Sequence, residues 1–597
     1  MTAVIDLEPL RQKYREERDK RLRPDGIDQY IQIASQFPEY LEDPYASVVE
    51  RDPKTDHVTF AFVGGGFAGL LTAARLKEAG LSDVRIVDKA GDFGGTWYWN
   101  RYPGAQCDTA SFVYMPLLEE TGHMPTEKYA HAPEILEHCR RIGGQYSLYD
   151  DALFHTEVTG LRWDDDRAVW LIETSRGDRF TARYVGLGLG PLDVPKLPGI
   201  PGLGSFRGHS FHTSRWDYAY TGGDQSGAPM TRLSDKRVGI IGTGATAVQC
   251  IPHLARACKE LYVFQRTPSS VDVRHNRPTD PAWFGDIATP GWQKHWIENF
   301  AANQSFAFPD EDLVMDGWTD IGRRIRNRVL EANLEQLTLE TILAAFEQSD
   351  FEKMEEIRAR VDAIVEDPAT AQKLKAWYRQ LCKRPCFHDE YLQSFNAANV
   401  HLIDTDGKGV ERITPTGVVV AGKEYDVDCI IYASGFEVGT DFTRRAGFEV
   451  TGRQGRTLSD HWRGGMRTMH GVHVHGFPNL FLVQAFQGGN LISNVPHNLY
   501  DAAQTVAGVV RHAAETDSAR VEVTEEAEEG WMQLVLSGQS LLQGPDCTPG
   551  YYNNEGHPED PRIRFFVGYP LGPSAYFQYI DDWRSNGRLE GLEFTRS

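Results

Sequence analysis

The chain has 597 residues, with 62 basic against 84 acidic side chains and a formal net charge of −22. At about 100–200 residues per domain this length spans three or four structural units, and a chain that is 41% apolar has enough material for real cores, which argues against disorder. The acidic excess argues against nucleic acid and anionic membrane as main partners, because a phosphate backbone is met by basic stripes; any anionic ligand must be caught locally.

The eight cysteines, Cys107, Cys139, Cys250, Cys258, Cys382, Cys386, Cys429 and Cys547, are scattered. They form no CxxC and no paired Cys/His spacing, so no metal site is expected, and a reduced, cytoplasmic chain is. The amino terminus is charged from Asp6 onward, and no run approaches the roughly 18 consecutive apolar residues of a membrane span. Neither export nor a membrane span is expected.

Residues 1–54 are polar, with a helix-like charged stretch around Leu10–Leu22, and are expected as an arm on the surface. His57–Gly91 then runs from an apolar strand through a glycine turn and an Ala/Leu helix to a Gly80 stop and a second strand, one βαβ unit. From Lys236 the same order recurs in KRVGIIGTGATAVQCIPHLARACKELYVFQRTP. The fold class is therefore α/β with two Rossmann-like dinucleotide-binding domains. Between Asp280 and Leu381 the pattern turns helical and almost free of glycine, which predicts a helical insertion in the second domain. After Asn399 strand-like pieces return (VHLIDTD, GVVVAG, DCIIYASGF), read as re-entry into the first domain.

The first turn, Gly64-Gly65-Gly66-Phe67-Ala68-Gly69, follows an apolar strand and opens a helix, so its backbone can approach a pyrophosphate at the helix N-terminus. Asp88 stands nineteen residues after Gly69, where a carboxylate accepts from both hydroxyls of an adenosine ribose and repels a 2′-phosphate. The second turn carries Gly242, Gly244 and Ala247, and Arg266, followed by Thr267, stands nineteen residues after Ala247. Opposite charge at one equivalent position is what discrimination between a free and a 2′-phosphorylated ribose requires. The assignment is FAD at the first turn and NADPH at the second. Taken singly, Asp88 or Arg266 reads equally well as a strand-end surface charge.

Between the two units, Phe206, Gly208, His212, Trp216 and Asp217 fit FxGxxxHxxxW(P/D), and in this the chain resembles the type I Baeyer–Villiger monooxygenases, a family of class B flavoprotein monooxygenases. The segment can also be a packed interdomain link without a chemical role. Other segments are similar to the same family. GGTWYWNRYPG, with Gly95, Thr96 and Trp97, looks like its flavin-side stretch, and Asp108 and Tyr114 match positions lining the flavin and nicotinamide site. KRPCFHDEYLQSFN resembles the segment in which Lys383 meets the 2′-phosphate and Arg384 is the active-site arginine. DCIIYASGF is similar to the strand and turn that close the family's FAD domain.

What the resemblance implies is NADPH- and O2-dependent oxidation of ketones, bulky or cyclic ones among them, to esters or lactones through a C4a-peroxyflavin and a Criegee intermediate. Arg384 would be the cation beside the anionic peroxide and Asp108 the group that orients it. Expected domains are the arm at 1–54, an FAD-binding part at 55–204, an NADP-binding part with the fingerprint linker at 205–279, the helical insertion at 280–370, a second NADP-binding part at 371–396 and a second FAD-binding part with the C-terminal segment at 397–597. Gln106 stands where many members have Arg, Ser434 replaces a usual Thr, and Cys547–Gly556 lacks the tryptophan of smaller-ketone members. Gly488–Asn498 is expected to form part of the substrate pocket. Competing readings are an N- or S-oxygenating flavin monooxygenase of the same fold, a disulfide reductase, disfavoured because no close Cys pair follows the first unit, and a noncatalytic redox-sensing flavoprotein.

Overall fold

The apolar run HVTFAFV forms the strand His57–Val63, and the small residues behind it let the helix Phe67–Glu78 close over the sheet before Val84–Val87 returns in parallel. In this computed structural model, residues 7–596 are described apart from 306, 308, 332–338, 490–493 and 539–545. The first sheet has the strand order Val450–Thr451, Val158–Asp164, Val169–Thr174, Arg179–Leu187, His57–Val63, Val84–Val87, with Leu480–Leu482 also paired to Arg179–Leu187. The second sheet, parallel throughout, runs Val400–Asp404, Glu260–Gln265, Arg237–Ile241, Cys429–Tyr432, His209–His212. In each sheet the glycine turn follows a strand with neighbours on both sides, at its C-terminal end, where open α/β sheets take their ligands.

Between the strands of the second sheet the chain is helical, through Pro281–Ile287, Trp292–Gln304, Asp320–Glu331, Leu339–Ile364 and Pro368–Leu374. Among the described residues no helix is long and apolar enough to cross a membrane.

Several expectations are corrected. Re-entry into the first sheet does not begin at residue 397: Val400–Asp404 and Cys429–Tyr432 both lie in the second sheet, and the first is rejoined at Val450–Thr451 and Leu480–Leu482. The Cys429–Tyr432 strand of DCIIYASGF therefore does not close the first domain but pairs with Arg237–Ile241 and His209–His212. An apolar strand carries no sign of which parallel neighbours it will take, and these choices were invisible in the sequence.

The arm lies along the surface and is anchored into it. Its helix, Leu7–Asp19, carries Tyr14, which is 0% exposed, stacks on Phe351 of the insertion at 5.0 Å and is hydrogen-bonded by Arg358 at 3.2 Å. Further on, Tyr30–Ile31 pairs with Leu197–Pro198. A charged helix with a single aromatic side chain can thus bury it against a second polar helix. Nor are all cysteines reduced: Cys382 and Cys547 form a disulfide across 165 residues, while the other six are buried free thiols. Spacing in sequence says nothing of such a long-range pair.

Candidate active site

The two glycine turns are built alike. Gly64 and Gly242 have φ of +115° and +117°, and at Gly69 an added Cβ would stand 2.1 Å from Gly64 O. The helices Phe67–Glu78 and Ala245–Ala257 start on Gly66 and Gly244 with no side-chain cap, so the N–H groups of their first turns are left for an outside acceptor. At Gly244 an added Cβ would meet nothing within 4 Å, and Ala247 is buried where the helix approaches the sheet. Gly95 packs on Gly66, an added Cβ on Gly95 lying 2.7 Å from Gly66 Cα, and Gly94 N donates to Gly65 O at 2.9 Å. GGTW is therefore the second wall of the first turn.

Asp88, at the end of its strand, accepts from Gly65 N and Ala90 N, and burial pushes its carboxyl up to about 6. Thr96 opens the short helix Thr96–Trp99. Trp97 Nε1 donates to Tyr114 OH at 3.0 Å, and the Tyr114 ring meets Phe67, on the glycine-turn helix, at 5.8 Å.

Asp108 and Arg384 come together as the sequence led us to expect. Asp108 is 3% exposed, and both of its oxygens accept from the Arg384 guanidinium at 2.7 Å. Burial works against the Arg384 charge, but the facing carboxylate outweighs it and holds the guanidinium protonated well above its ordinary range. Trp318 of the insertion, not foreseen, donates from Nε1 to Asp108 O at 2.9 Å and lies under the guanidinium at 5.6 Å. Trp318 and Pro385 line a small cavity with Gly317, Ile321 and Gln380. Arg274, also unforeseen, donates to Gln106 Oε1, so a guanidinium from another segment faces the residue that departs from the family pattern.

Arg266 and Lys383 gather around another carboxylate. Arg266 donates to Gln29 Oε1 at 2.5 Å and stands 3.8 Å from Glu555, while Thr267 O accepts from Thr243 Oγ1 at 2.6 Å. Lys383 is half-buried and donates to Pro549 O at 2.7 Å; burial pushes its amine down to about 8.

The fingerprint segment is the edge strand of the second sheet, His209–His212, and the turn after it. An added Cβ on Gly208 would fall 2.5 Å from the Phe206 ring and 2.7 Å from Asp428 O, which explains the glycine. His212 is buried, so its imidazole is pushed down to about 3 and is neutral; its ring meets Phe436 edge-on at 5.5 Å. Trp216 is buried, with Nε1 donating to Thr221 Oγ1 at 3.1 Å, and Asp217 accepts from Tyr220 N at 2.9 Å. The buried Arg215 stacks 3.7 Å over Trp99 of the first unit. Tyr45 of the arm binds both sides, donating to Trp99 O at 3.3 Å and accepting from Trp216 N at 3.1 Å.

Residues 490–493 of the expected pocket segment lie outside the described residues. Beyond them His497 stacks on Phe577 at 3.6 Å, and both line a cavity with Val113, Pro116 and Tyr500.

Known proteins share the fold of this chain. Residues 63–124 match the family described as NAD(P)-binding Rossmann-like domain. Neopentalenolactone D synthase of Streptomyces avermitilis is 50% identical over 99% of this chain and 99% of its own length. A Baeyer-Villiger monooxygenase of Streptomyces coelicolor is 47% identical, over 98% of this chain and 96% of its own. Among solved structures, the polycyclic ketone monooxygenase of the thermophilic fungus Thermothelomyces thermophila superposes with a TM-score of 0.91 at 41% identity, covering 99% of each chain. Two sheets, one mixed and one parallel, each with a glycine turn at the end of a parallel strand and joined by a buried linker, define a two-dinucleotide flavoprotein monooxygenase. Identity of this extent places the chain in the Baeyer–Villiger monooxygenase family.

Proposed function

We propose that this enzyme uses FAD at the first glycine turn and NADPH at the second to convert cyclic and bulky ketones to esters or lactones, with Arg384 as the catalytic cation and Asp108 as its positioning partner. The observation that carries the reading is the doubly hydrogen-bonded Asp108–Arg384 pair. Uncapped first-turn N–H groups, open space at Gly244 and a buried ribose acceptor at Asp88 are the donors and acceptors that two dinucleotides need.

Bound FAD, reduced by NADPH, supplies the activation of O2 that no side chain can perform. What the chain supplies is placement. Asp108 fixes one edge of the guanidinium and leaves the other to donate to the ketone oxygen as negative charge gathers there during attack on the carbonyl. Trp318 covers the pair on one side and so lowers its access to water, which strengthens the electrostatic effect. His212 is neutral and buried and plays no part in moving protons.

Support for bulky substrates comes from relatives named as a polycyclic ketone monooxygenase and a neopentalenolactone D synthase. A cytoplasmic location remains our reading, and there the Cys382–Cys547 bond would face reduction.

The test is turnover of purified enzyme with NADPH and a ketone panel graded by ring size and number, with a primary amine and a sulfide beside it. Gain of one oxygen by ketones as ester or lactone is expected. Hydroxylamine or sulfoxide without ester would favour the N- or S-oxygenating alternative.

A further inference from the structure

Two cations from separate segments, Lys196 and Arg266, flank one buried carboxylate, and Lys383 and Arg21 stand behind them. Glu555, 3% exposed, stands on the loop that follows Cys547. Its Oε1 lies 3.7 Å from Lys196 Nζ and accepts a 3.4 Å bond from Tyr30 OH, and its Oε2 lies 3.8 Å from Arg266. Lys383 holds the same loop at Pro549 O, and its amine feels the Glu555 charge together with those of Arg266, Arg21 and Lys196. Arg21, buried, is paired with Glu17 at 2.6 Å and ties itself to Arg266 O and Thr267 Oγ1 at 3.2 and 3.1 Å. Ser434, in the turn after the second sheet's Cys429–Tyr432 strand, binds Lys196 O at 2.5 Å and so fixes that lysine's backbone.

Charge and size disagree in this cage. The carboxylate has the right sign, but its cations stand beyond hydrogen-bond distance, and Glu555 Oε2 accepts no hydrogen bond among the described residues. One negative charge faces several positive ones. A phosphate monoester carries up to two charges and three terminal oxygens, and it would reach what the carboxylate does not. The backbone that delivers Glu555 is also unfavourable: Asn554, Glu555 and Gly556 have φ of +49°, +55° and +89° in succession, a conformation that side chains avoid. Attraction to the cations offsets this backbone cost at Glu555.

We propose that Glu555 is an internal stand-in for a phosphate monoester. It neutralises Lys196, Arg266 and Lys383 until the 2′-phosphate of NADPH displaces it, whereas the 2′-hydroxyl of NADH brings no charge with which to do so. Glu555 is thus a specificity-determining residue, and Arg21 of the arm and Lys196 join the cations that bind the phosphate. The inference rests on reading the second glycine turn as the NADPH site.

The test is calorimetric binding of 2′,5′-ADP and of 5′-AMP to the flavin-loaded enzyme. Glu555→Gln is expected to tighten 2′,5′-ADP about tenfold, since no competitor then occupies the cage, and to leave 5′-AMP within about twofold. Arg21→Ala and Lys196→Met are expected to weaken 2′,5′-ADP about tenfold with 5′-AMP unchanged. Equal or weaker binding of 2′,5′-ADP by Glu555→Gln overturns the proposal. Wild-type enzyme that binds 2′,5′-ADP no better than 5′-AMP overturns the cofactor reading beneath it as well. Should Glu555→Gln fail to fold, hydrogen exchange on the wild type decides: amides of 550–557 must exchange faster with 2′,5′-ADP and not with 5′-AMP, and unchanged or slower exchange rejects displacement.

Discussion

Asp108 and Arg384 are 276 residues apart in the chain and are joined by two parallel hydrogen bonds of 2.7 Å. The first belongs to the FAD-side unit and the second follows the helical insertion, so the pair exists only when both units are docked. Loss of Arg384 to alanine should slow ester formation by about 10²–10³, the usual effect of removing a preorganised donor. Asp108→Asn keeps the shape but loses the charge and one acceptor, and should lower ester formed per NADPH consumed while the tertiary fold survives. Product yield and NADPH consumption, measured together, check both.

Gly69→Ala and Gly242→Ala should separate the two nucleotide sites. The new Cβ would stand 2.1 Å from Gly64 O in the first case and 2.4 Å from Ala433 O in the second, and Gly242 has φ of +117°. Backbone atoms cannot yield cheaply, so each change should cost about 1–3 kcal/mol of stability. Gly69→Ala should purify with little flavin absorbance, whereas Gly242→Ala should retain flavin and lose affinity for NADPH.

Lys383 carries a pH signature. Burial pushes its amine down to about 8 from an ordinary 10.5, so the folded chain binds fewer protons than the unfolded one between these values. This group's contribution to stability therefore rises as pH rises through that window. Its capture of a phosphate runs the other way, since the neutral amine is no counter-charge. The KM for NADPH should climb above about pH 8 in the wild type and stay flat to higher pH in Lys383→Arg, as read from initial rates across the pH range.

The Cys382–Cys547 bond joins the residue preceding Lys383 to the Glu555 loop and closes a long stretch of chain. Cys547→Ala should lower unfolding free energy by about 2–5 kcal/mol, because a long loop regains entropy in the unfolded state. Denaturant titration of wild type with and without reductant should reproduce the difference, and the variant should be indifferent to reductant.

The parts of the site legible in the sequence are those set by short-range spacing. A glycine turn between strand and helix, and a charge at the end of the next strand, are neighbours in sequence and in space, so Asp88 and Arg266 could be read with their turns. Asp108 and Arg384 were found by resemblance to a family, not by periodicity. Arg21, Lys196, Trp318, Arg274 and Glu555 are brought in by docking of the arm, the insertion and the C-terminal loop; only the segment of Glu555, Cys547–Gly556, stands out in the sequence, and nothing there marks the glutamate itself. One clue was present: Gln106 departs from the family pattern, and the structure answers it with Arg274. Strand partnership after residue 399 is illegible for the same reason, because an apolar run such as CIIY is equally suited to either sheet.

Tyr45 touches Trp99 and Trp216 with a single hydroxyl. Any attempt to recombine this enzyme with its relatives must therefore move the arm, the GGTW stretch and the linker as one cassette. A crossover placed between them would leave that phenol facing a foreign surface, and the chimera would lose the pin on which its two halves are mounted.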